Sequence, residues 1–224
     1  MSMKLGIIGF GGMGKFHSKQ APKAGVTVIG AADIKEERVQ EEIEAGIKGY
    51  HSADELLADP EINTVILTVP NHLHKEMAIK AAKAGKNVIT EKPAALNVAE
   101  LDEMTKACEE AGVCFTTHQN RRWDRDMLTV KKAYETGMLG KVFTIESRLH
   151  SGNGYMHEWH LYKKYGGGMM YDWGVHLIDQ ILFMMPDAKV KTVFADLKNV
   201  LHEEVDDYFK IILKMDNGVT AHIE

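Results

Sequence analysis

The sequence has few cysteines, no long apolar run and no large excess of charge of one sign. Cys108 and Cys114 are too few for a disulfide framework, and their spacing fits no common zinc signature. We therefore expect two free thiols that fill the core, in a reducing, cytoplasmic location. No stretch approaches the roughly 18 apolar residues of a membrane span, and the glycine-interrupted start MSMKLGIIGFGG does not resemble a secretory signal. The formal net charge of −5 argues against nucleic-acid binding.

What remains is the composition of an ordinary globular protein, since 45% of the 224 residues are hydrophobic and 26% are charged. The length allows one or two domains. Short apolar runs alternate with helical patterns through the first 120 residues. The runs predict strands at Lys4–Phe10, Val26–Ala32, Ile62–Val69, Asn87–Thr90 and Val113–Thr117. Helices are predicted between them, at Met13–Ala24, Lys35–Ala45, Ser52–Ala58, Leu73–Ala84 and Val98–Glu110. This alternation indicates an α/β fold with a doubly wound parallel sheet.

The pattern changes after residue 120, because strands then follow one another with fewer helices. Helices are predicted at Asp124–Thr136 and Trp173–Met185, and strands at Val142–Leu149, Val190–Leu197, Asp207–Met215 and Val219–Ile223. Asp216-Asn217-Gly218 is a hairpin signal between the last two strands. We therefore predict two domains, 1–120 and 121–224, the second with an open mixed or antiparallel sheet.

A glycine-rich turn follows the first predicted strand. Gly9-Phe10-Gly11-Gly12-Met13-Gly14 matches G-x-G-x-x-G between a strand and a helix, the context of a Rossmann dinucleotide site. Gly9 would permit the tight turn, Gly11 the approach of a pyrophosphate, and Gly14 close packing of helix on strand. Gly12 and Met13 would offer backbone N–H groups at the helix N-terminus. The alternative is a glycine turn that binds nothing.

Asp33 ends the next strand, 19 residues after Gly14. Its carboxylate would accept hydrogen bonds from the adenosine ribose and repel a 2′-phosphate, which favours NAD over NADP. Lys35 and Arg38 lie near enough to leave NADP open. A simpler reading makes Asp33 the N-cap of the following helix.

Three further segments carry a family resemblance. Thr68-Val69-Pro70-Asn71-His72-Leu73-His74 follows one central strand, and Glu91-Lys92-Pro93 follows the next. The segment from Gly166 to Asp179 reads GGGMMYDWGVHLID. Together with the glycine turn, these segments resemble the glucose–fructose oxidoreductase/inositol dehydrogenase family, Gfo/Idh/MocA, from residue 4 onward.

The resemblance implies an N-terminal Rossmann domain, a C-terminal α/β domain with a large open sheet, and hydride transfer between a nicotinamide and a sugar or cyclitol carbon. Matched residue by residue, it implies that Lys92, Asp172 and His176 are catalytic. It also implies five positions beside the cofactor: Pro70, Asn71, His74, Glu91 and Lys92. For several of these residues a purely structural or surface role is the alternative.

The implied chemistry suits these residue types. Oxidising a secondary alcohol requires removal of the hydroxyl proton, and a histidine can take it near neutral pH. His176 is therefore the first candidate for the base, while the Lys92 ammonium would stabilise the developing alkoxide. Lys92 could instead be the base if its pKa were lowered. Asp172 precedes His176 by four residues, so it could orient the imidazole or hold a substrate hydroxyl.

Substrate contacts are predicted at two places. Asn120 and Arg121 join the two domains, where a cleft would lie, and Tyr155 and Trp159 offer aromatic faces to a sugar ring. A helix entry and core packing, respectively, are the alternatives. His157-Glu158-Trp159-His160 is not the H-E-x-x-H pattern and indicates no third ligand, so no metal is expected.

Two functions from different classes remain. The leading one is an NAD-dependent sugar or polyol dehydrogenase, and the other is a non-catalytic sensor or co-repressor that keeps the dinucleotide site. Retention of Lys92, Asp172 and His176 favours the enzyme. We expect a homo-oligomer formed through the C-terminal sheet. The chain ends at Glu224 within the predicted sheet, where a free strand edge would be unpaired, so we also expect a fragment. A natural short form whose edge a partner subunit covers is the alternative.

Overall fold

Two units divide the chain, Met1–His118 (unit 1) and Gln119–Glu224 (unit 2). The computed structural model describes residues 2–150, 156 and 158–224. Each unit has its own sheet and its own apolar core.

The sheet of unit 1 has six strands in the order β3-β2-β1-β4-β5-β6, with every neighbouring pair parallel. The strands are β1 Lys4–Ile8, β2 Thr27–Ala32, β3 Lys48–Tyr50, β4 Thr64–Leu67, β5 Asn87–Thr90 and β6 Phe115–Thr117. The predicted doubly wound sheet is confirmed, and three-residue β3 is an addition. The order reverses between β1 and β4, and ligands of such sheets bind beyond the carboxyl ends of the strands at this point.

The helices of unit 1 are α1 Gly12–Gln20, α2 Glu36–Glu44, α3 Ala53–Ala58, α4 His74–Lys83 and α5 Val98–Ala111. Side chains fix two of their starts, because the Ser52 oxygen accepts from the Glu55 N–H and the Asn97 oxygen from the Glu100 N–H. Short 3₁₀ turns at Ala21–Ala24 and Asn71–Leu73 take up residues that the helical patterns included.

Burial on both faces explains why the central strands are apolar without alternation. Ile7, Val65 and Leu67 are fully buried in β1 and β4. Both cysteines are free, as predicted, but only Cys108 fills the core. The prediction was wrong for Cys114, which is exposed at the start of the short β6 region.

In its described residues, unit 2 combines two α-helices with a mixed sheet of order β7-β10-β9-β8. Its elements are α6 Arg125–Glu135, β7 Thr144–Ser147, α7 Val175–Met184, β8 Val190–Lys198, β9 Tyr208–Met215 and β10 Thr220–Ile223. Strand β10 pairs in parallel with β7, whereas the β10–β9 and β9–β8 pairs are antiparallel. A π-helical turn, Met170–Gly174, precedes α7 and takes up Trp173 and Gly174, the first two residues of the predicted α-helix.

The last strand corrects one expectation. Strand β10 lies between β7 and β9, so the edges of the sheet are β7 and β8 and not the strand nearest Glu224. The predicted hairpin joins β9 to β10, with Gly218 at φ +90° and the Met215 N–H donating to the Val219 carbonyl over 2.8 Å.

One face of this sheet carries the core of unit 2. Alternate residues of β9 and β10, such as Phe209, Ile211 and Ile223, are buried with Leu177 and Ile181 of α7. Strand β8 is largely exposed along its length. Among the described residues, no helix is both long enough and apolar enough to cross a membrane.

Candidate functional site

The turn after β1 is shaped by two glycines. Gly9 has φ +96°, and a Cβ there would lie 2.8 Å from the Thr68 carbonyl oxygen. A Cβ at Gly14 would lie 2.2 Å from the Gly9 oxygen. Neither position has room for a side chain, because β1, α1 and β4 meet at backbone distance.

The two glycines between them have a different explanation. A Cβ at Gly12 would meet nothing within 4 Å, and at Gly11 its nearest neighbour would be the Arg38 guanidinium at 3.7 Å. The packing of the chain therefore does not require glycine at either position. They keep open the space before the α1 N-terminus, whose N–H groups and dipole attract an anion. Exposed Met13 follows in the first turn of α1.

Asp33 is buried beside this turn. Its Oδ2 accepts from the Phe10 N–H over 2.8 Å and from Arg38 Nη1 over 3.0 Å, and its Oδ1 accepts from the Lys35 N–H over 3.0 Å. Lys35 is the N-cap of α2, so the simpler reading of Asp33 as that cap is wrong. Asp33 instead fastens the glycine turn to the beginning of α2.

The segment after β4 contains three of the predicted cofactor residues. Pro70 is half-buried and Asn71 is buried. His74 is fully buried, with Nδ1 2.8 Å from the Pro93 carbonyl and Nε2 3.0 Å from the Val69 carbonyl. Burial lowers the pKa of His74. Because its ring has no accessible surface, His74 is placed to hold the Val69 and Pro93 segments together rather than to touch a ligand directly.

Glu91 and Lys92 follow β5 on the same edge. Glu91 is buried, and its Oε1 lies 2.6 Å from His17 Nε2 and 3.0 Å from His118 Nδ1. Burial alone would raise the pKa of Glu91, but the hydrogen bonds from His118 and His17 outweigh it and lower the pKa to about 2. The Lys92 N–H donates to Glu91 Oε2 over 3.3 Å, and the Lys92–Pro93 peptide bond is cis. Lys92 is itself half-buried.

Sequence reasoning missed His17 and His118. They are 74 and 27 positions from Glu91, so no spacing motif connects them. One signal was available for His118: it follows β6, the parallel neighbour of β5, and so must lie at the same sheet edge as Glu91.

In unit 2, packing requires two of the three consecutive glycines, Gly167 and Gly168. A Cβ at Gly167 would lie 2.1 Å from the His160 carbonyl oxygen. Gly168 has φ +110°, and a Cβ there would lie 2.4 Å from Asp206 Oδ1. Asp206 Oδ2 accepts from the Met170 N–H over 2.7 Å, so this aspartate fixes the entry to the π-helical turn.

Asp172 and His176 lie on either side of the junction between the π-helical turn and α7. The Asp172 N–H donates to the Gly168 carbonyl over 3.0 Å. His176 is buried, and its ring is edge-on to Trp173 with centroids 5.8 Å apart. Gly174 permits this wider turn, since a Cβ there would lie 2.6 Å from the Met170 sulfur. Helices often carry such π turns at functional sites.

The predicted substrate residues are placed as follows. The Arg121 guanidinium lies 4.3 Å from the centroid of the Trp173 ring and donates to Asp124 over 3.0 Å. Asn120 is half-buried at the start of a 3₁₀ turn. Trp159 stacks on His160 with centroids 3.7 Å apart, which covers one of its faces. Tyr155 and His157 lie outside the described residues.

Within unit 1, the fold therefore groups the glycine turn, Asp33, Asn71 and Lys92 at the carboxyl edge of one sheet. Within unit 2, it groups Arg121, Asp172, Trp173 and His176. Two family models match these same parts of the chain. The model of the oxidoreductase family Gfo/Idh/MocA, NAD-binding Rossmann fold, matches residues 3–119, and the model of the Gfo/Idh/MocA C-terminal domain matches residues 127–224. The chain belongs to the Gfo/Idh/MocA family.

Similar proteins agree with that membership. The chain is 32% identical to myo-inositol 2-dehydrogenase of Thermotoga maritima, covering 99% of this chain and 68% of that protein. It is 32% identical to scyllo-inositol 2-dehydrogenase (NADP⁺) IolW of Bacillus subtilis, covering 95% and 60%. A crystal structure of an NAD-binding protein from Listeria innocua superposes with a TM-score of 0.96 at 41% identity, covering 100% and 66%. The chain thus spans 60 to 68% of the length of these relatives.

Unit 1 of this Gfo/Idh/MocA chain is an NAD-binding Rossmann domain, and its residues fit a dinucleotide. Gly11 and Gly12 leave open the space that a pyrophosphate needs. The Asp33 carboxylate lies beside that space, held by the Phe10 N–H of the same turn.

Proposed function

We propose that the chain carries out hydride transfer between NAD and a secondary hydroxyl of a sugar, glycoside or cyclitol. The observation that carries this proposal is the position of Lys92. It follows β5 at the carboxyl edge of the Rossmann sheet, the edge on which the glycine turn and Asp33 lie. A half-buried lysine that directly follows a buried glutamate is better suited to act beside the nicotinamide than to be an ordinary solvated loop residue.

The roles follow from the chemistry of alcohol oxidation. A bound nicotinamide would supply the acceptor for the hydride that leaves the hydroxyl-bearing carbon. His176 takes the hydroxyl proton, and the Lys92 ammonium donates a hydrogen bond to the same oxygen as negative charge develops on it. Lys92 as the base, with His176 as the hydrogen-bond donor, is the alternative assignment. Asp172 orients the imidazole or holds a neighbouring substrate hydroxyl.

The cofactor is NAD, with NADP as the second choice. Asp33 presents a carboxylate that a 2′-phosphate would meet. Arg38 lies 3.0 Å from that carboxylate and next to Gly11, so it offsets part of the repulsion. One relative is named as an NADP⁺ enzyme, which is why both cofactors belong in any assay.

The inositol dehydrogenases among the relatives favour a cyclitol as substrate, ahead of a glycoside. Arg121 and Asn120 would hold its hydroxyls, with Trp159 and Tyr155 as aromatic walls. We further propose a cytoplasmic homo-oligomer formed through the sheet of unit 2. Support comes from one face of β8, where Val193 and Leu197 are exposed, since apolar patches of this kind commonly mark interfaces.

The test is a panel of cyclitols, free sugars and glycosides with NAD and NADP, following absorbance of the reduced cofactor. Turnover by the wild-type chain and a loss of about 10²–10⁴-fold in kcat for Lys92→Met and His176→Asn are expected. Binding of reduced cofactor, measured by fluorescence, should change little in His176→Asn. A chain that binds cofactor and a sugar but never reduces NAD would instead be the sensor, and wild-type turnover in His176→Asn would remove that residue as the base.

A further inference from the structure

Three side chains of unit 1 converge where α1 meets the carboxyl ends of β5 and β6. They are His17, Glu91 and His118, and their ligand atoms all lie within 4.8 Å of one another. The side chains of His17 and Glu91 are 9% and 8% exposed, whereas the His118 side chain is 31% exposed. We propose that this cluster binds a divalent transition-metal ion of the Zn²⁺ type. The proposal does not depend on the reaction proposed above.

The donor set has the composition of a zinc site. Two imidazole nitrogens and one carboxylate oxygen leave a fourth tetrahedral position for water. Imidazole ligands favour Zn²⁺, Co²⁺ or Ni²⁺ over Mg²⁺ and Ca²⁺, which prefer oxygen. The partial exposure of His118 supplies the route for the ion and the place for its water.

The distances require only small movements. A tetrahedral ion holds its ligands at about 2.0–2.2 Å, which places the ligand atoms roughly 3.3 Å from one another. Glu91 Oε1 is now 2.6 Å from His17 Nε2 and 3.0 Å from His118 Nδ1. Moving Glu91 Oε1 about 0.3–0.7 Å away from the two nitrogens would admit the ion, once the nitrogens, which lie within 4.8 Å of each other, adopt the same spacing.

The surroundings already orient the ligands. Glu91 Oε2 receives the Lys92 N–H, so Oε1 is left to face the two histidines. The rings of His17 and His118 are edge-on, with centroids 4.7 Å apart, and their ring nitrogens approach the same oxygen. A neutral imidazole carries its one proton on either nitrogen, so each ring can turn a lone pair toward the ion without losing a proton.

The site also has a natural contrast within the chain. His51 lies 3.2 Å from Glu36 in an exposed pair that supplies only two ligands. Across residues 2–150, 156 and 158–224, no other three His, Cys, Asp or Glu side chains bring ligand atoms this close together. The expectation of no metal depended on spacing along the sequence, and these ligands come from three separate elements.

The experiment titrates Zn²⁺ into the EDTA-stripped, dialysed chain in competition with the chromophoric chelator 4-(2-pyridylazo)resorcinol. We expect one tightly bound ion per chain, and Co²⁺ in its place should show the intense visible absorption of a tetrahedral site. His118→Asn should weaken binding at least tenfold and abolish the tetrahedral Co²⁺ spectrum. His17→Gln and Glu91→Gln should do the same, and His51→Asn should bind like the wild type.

A second readout, the melting temperature, shows whether a variant folds and whether zinc binds its folded state. Zn²⁺ should raise the melting temperature of the wild type and of His51→Asn but not that of His118→Asn, because only binding to the folded state stabilises it. Wild-type protein that leaves all Zn²⁺ with the chelator overturns the proposal. So does an octahedral Co²⁺ spectrum, or a His118→Asn variant with undiminished affinity. In any of these cases the cluster is a hydrogen-bonded network alone.

Discussion

Unit 1 buries its sheet on both faces, whereas unit 2 leaves much of one strand uncovered. All four residues of β4 are buried, but most residues of β8 are exposed. The candidate residues differ in the same way. Those of unit 1 come from separate strands and meet at one sheet edge, while Asp172 and His176 of unit 2 come from one continuous segment. A site assembled by topology depends on close backbone packing, and a site within one segment depends on the local shape of a helix.

The tryptophans make this contrast measurable. All three, Trp123, Trp159 and Trp173, lie in unit 2. Their fluorescence during urea unfolding therefore reports on unit 2, while far-UV circular dichroism reports on both units. Substitutions confined to one unit should separate the two signals if the units unfold independently, and should move them together if they do not.

The largest effect is expected from Gly14→Ala in unit 1. The added Cβ would lie 2.2 Å from the Gly9 oxygen, a backbone atom that cannot give way. We expect a loss of about 3 kcal/mol in the free energy of unfolding, the upper part of the range for overpacking, and loss of NADH binding. Circular dichroism should detect it with the tryptophan transition unchanged.

Gly12→Ala is the matched control, because its Cβ would meet nothing within 4 Å. It should keep or slightly raise stability, since alanine is the better helix former. It should still weaken NADH binding by crowding the open space before α1. If Gly12→Ala destabilises as much as Gly14→Ala, the distinction between glycines required by packing and glycines kept for a ligand fails.

The features that could be predicted from the sequence are local ones, and those that could not depend on topology or on fine helix geometry. The strands, the glycine turn and the position of Asp33 could be predicted because apolar runs and short motifs are local. The π-helical turn at Met170–Gly174 could not, since its apolar pattern over a few residues matches that of an α-helix. The cluster at Glu91 could not be predicted either, because His118 reaches Glu91 only through the pairing of β5 with β6.

Helix α2 shows a different limit. Val39 and Ile43 are four residues apart and would be expected to share the buried face. Val39 is buried, but Ile43 is 53% exposed and Glu42 is fully buried instead. One carboxyl group of this charged segment therefore faces the core. As a consequence, we expect the stability of unit 1 to depend on pH.

Glu42→Gln should reveal that dependence. Burial raises the pKa of Glu42 from 4.5 to about 7, and nearby Asp33 and Glu41 add to the effect. Because the folded-state pKa is above the unfolded one, the stabilising contribution is complete below pH 4.5 and is lost as the pH rises to about 7. Relative to the wild type, Glu42→Gln should gain on the order of 2–3 kcal/mol between pH 4.5 and 8.

The control is Glu37→Gln, which removes an exposed carboxylate from the same helix and leaves Asp33 and Glu41, the charged neighbours of Glu42, in place. Its difference from the wild type should vary little with pH, because an exposed carboxylate contributes less than about 1 kcal/mol through its ion pairs. Urea unfolding at pH 5 and pH 8, followed by circular dichroism, measures both variants. A pH-independent difference for Glu42→Gln would show that Glu42 is ionised in the folded chain throughout this range.

Asp207→Asn should give the opposite and smaller effect in unit 2. Burial acts to raise the pKa of Asp207, but the Val200, Leu201 and His202 N–H groups donate to its carboxylate over 2.5–2.9 Å and lower the pKa. Because the folded-state pKa is lowered, the Asp207 carboxylate stabilises the folded chain at pH values above the unfolded pKa of 3.8. That contribution is lost as the pH falls through the folded-state pKa. We expect a loss of about 1 kcal/mol at pH 7, seen in the tryptophan transition and shrinking as the pH falls below 3.8.

Exposed Asp187 provides the comparison, since Asp187→Asn should leave the tryptophan transition unchanged at pH 7 and at pH values below 3.8. The stabilities of the two units should then respond to pH in opposite directions. Raising the pH removes stability from unit 1 through Glu42, and lowering it removes stability from unit 2 through Asp207. If Asp207→Asn shifts the circular dichroism and tryptophan transitions equally, the units unfold as one. The contrast between them would then be one of architecture alone and not of stability.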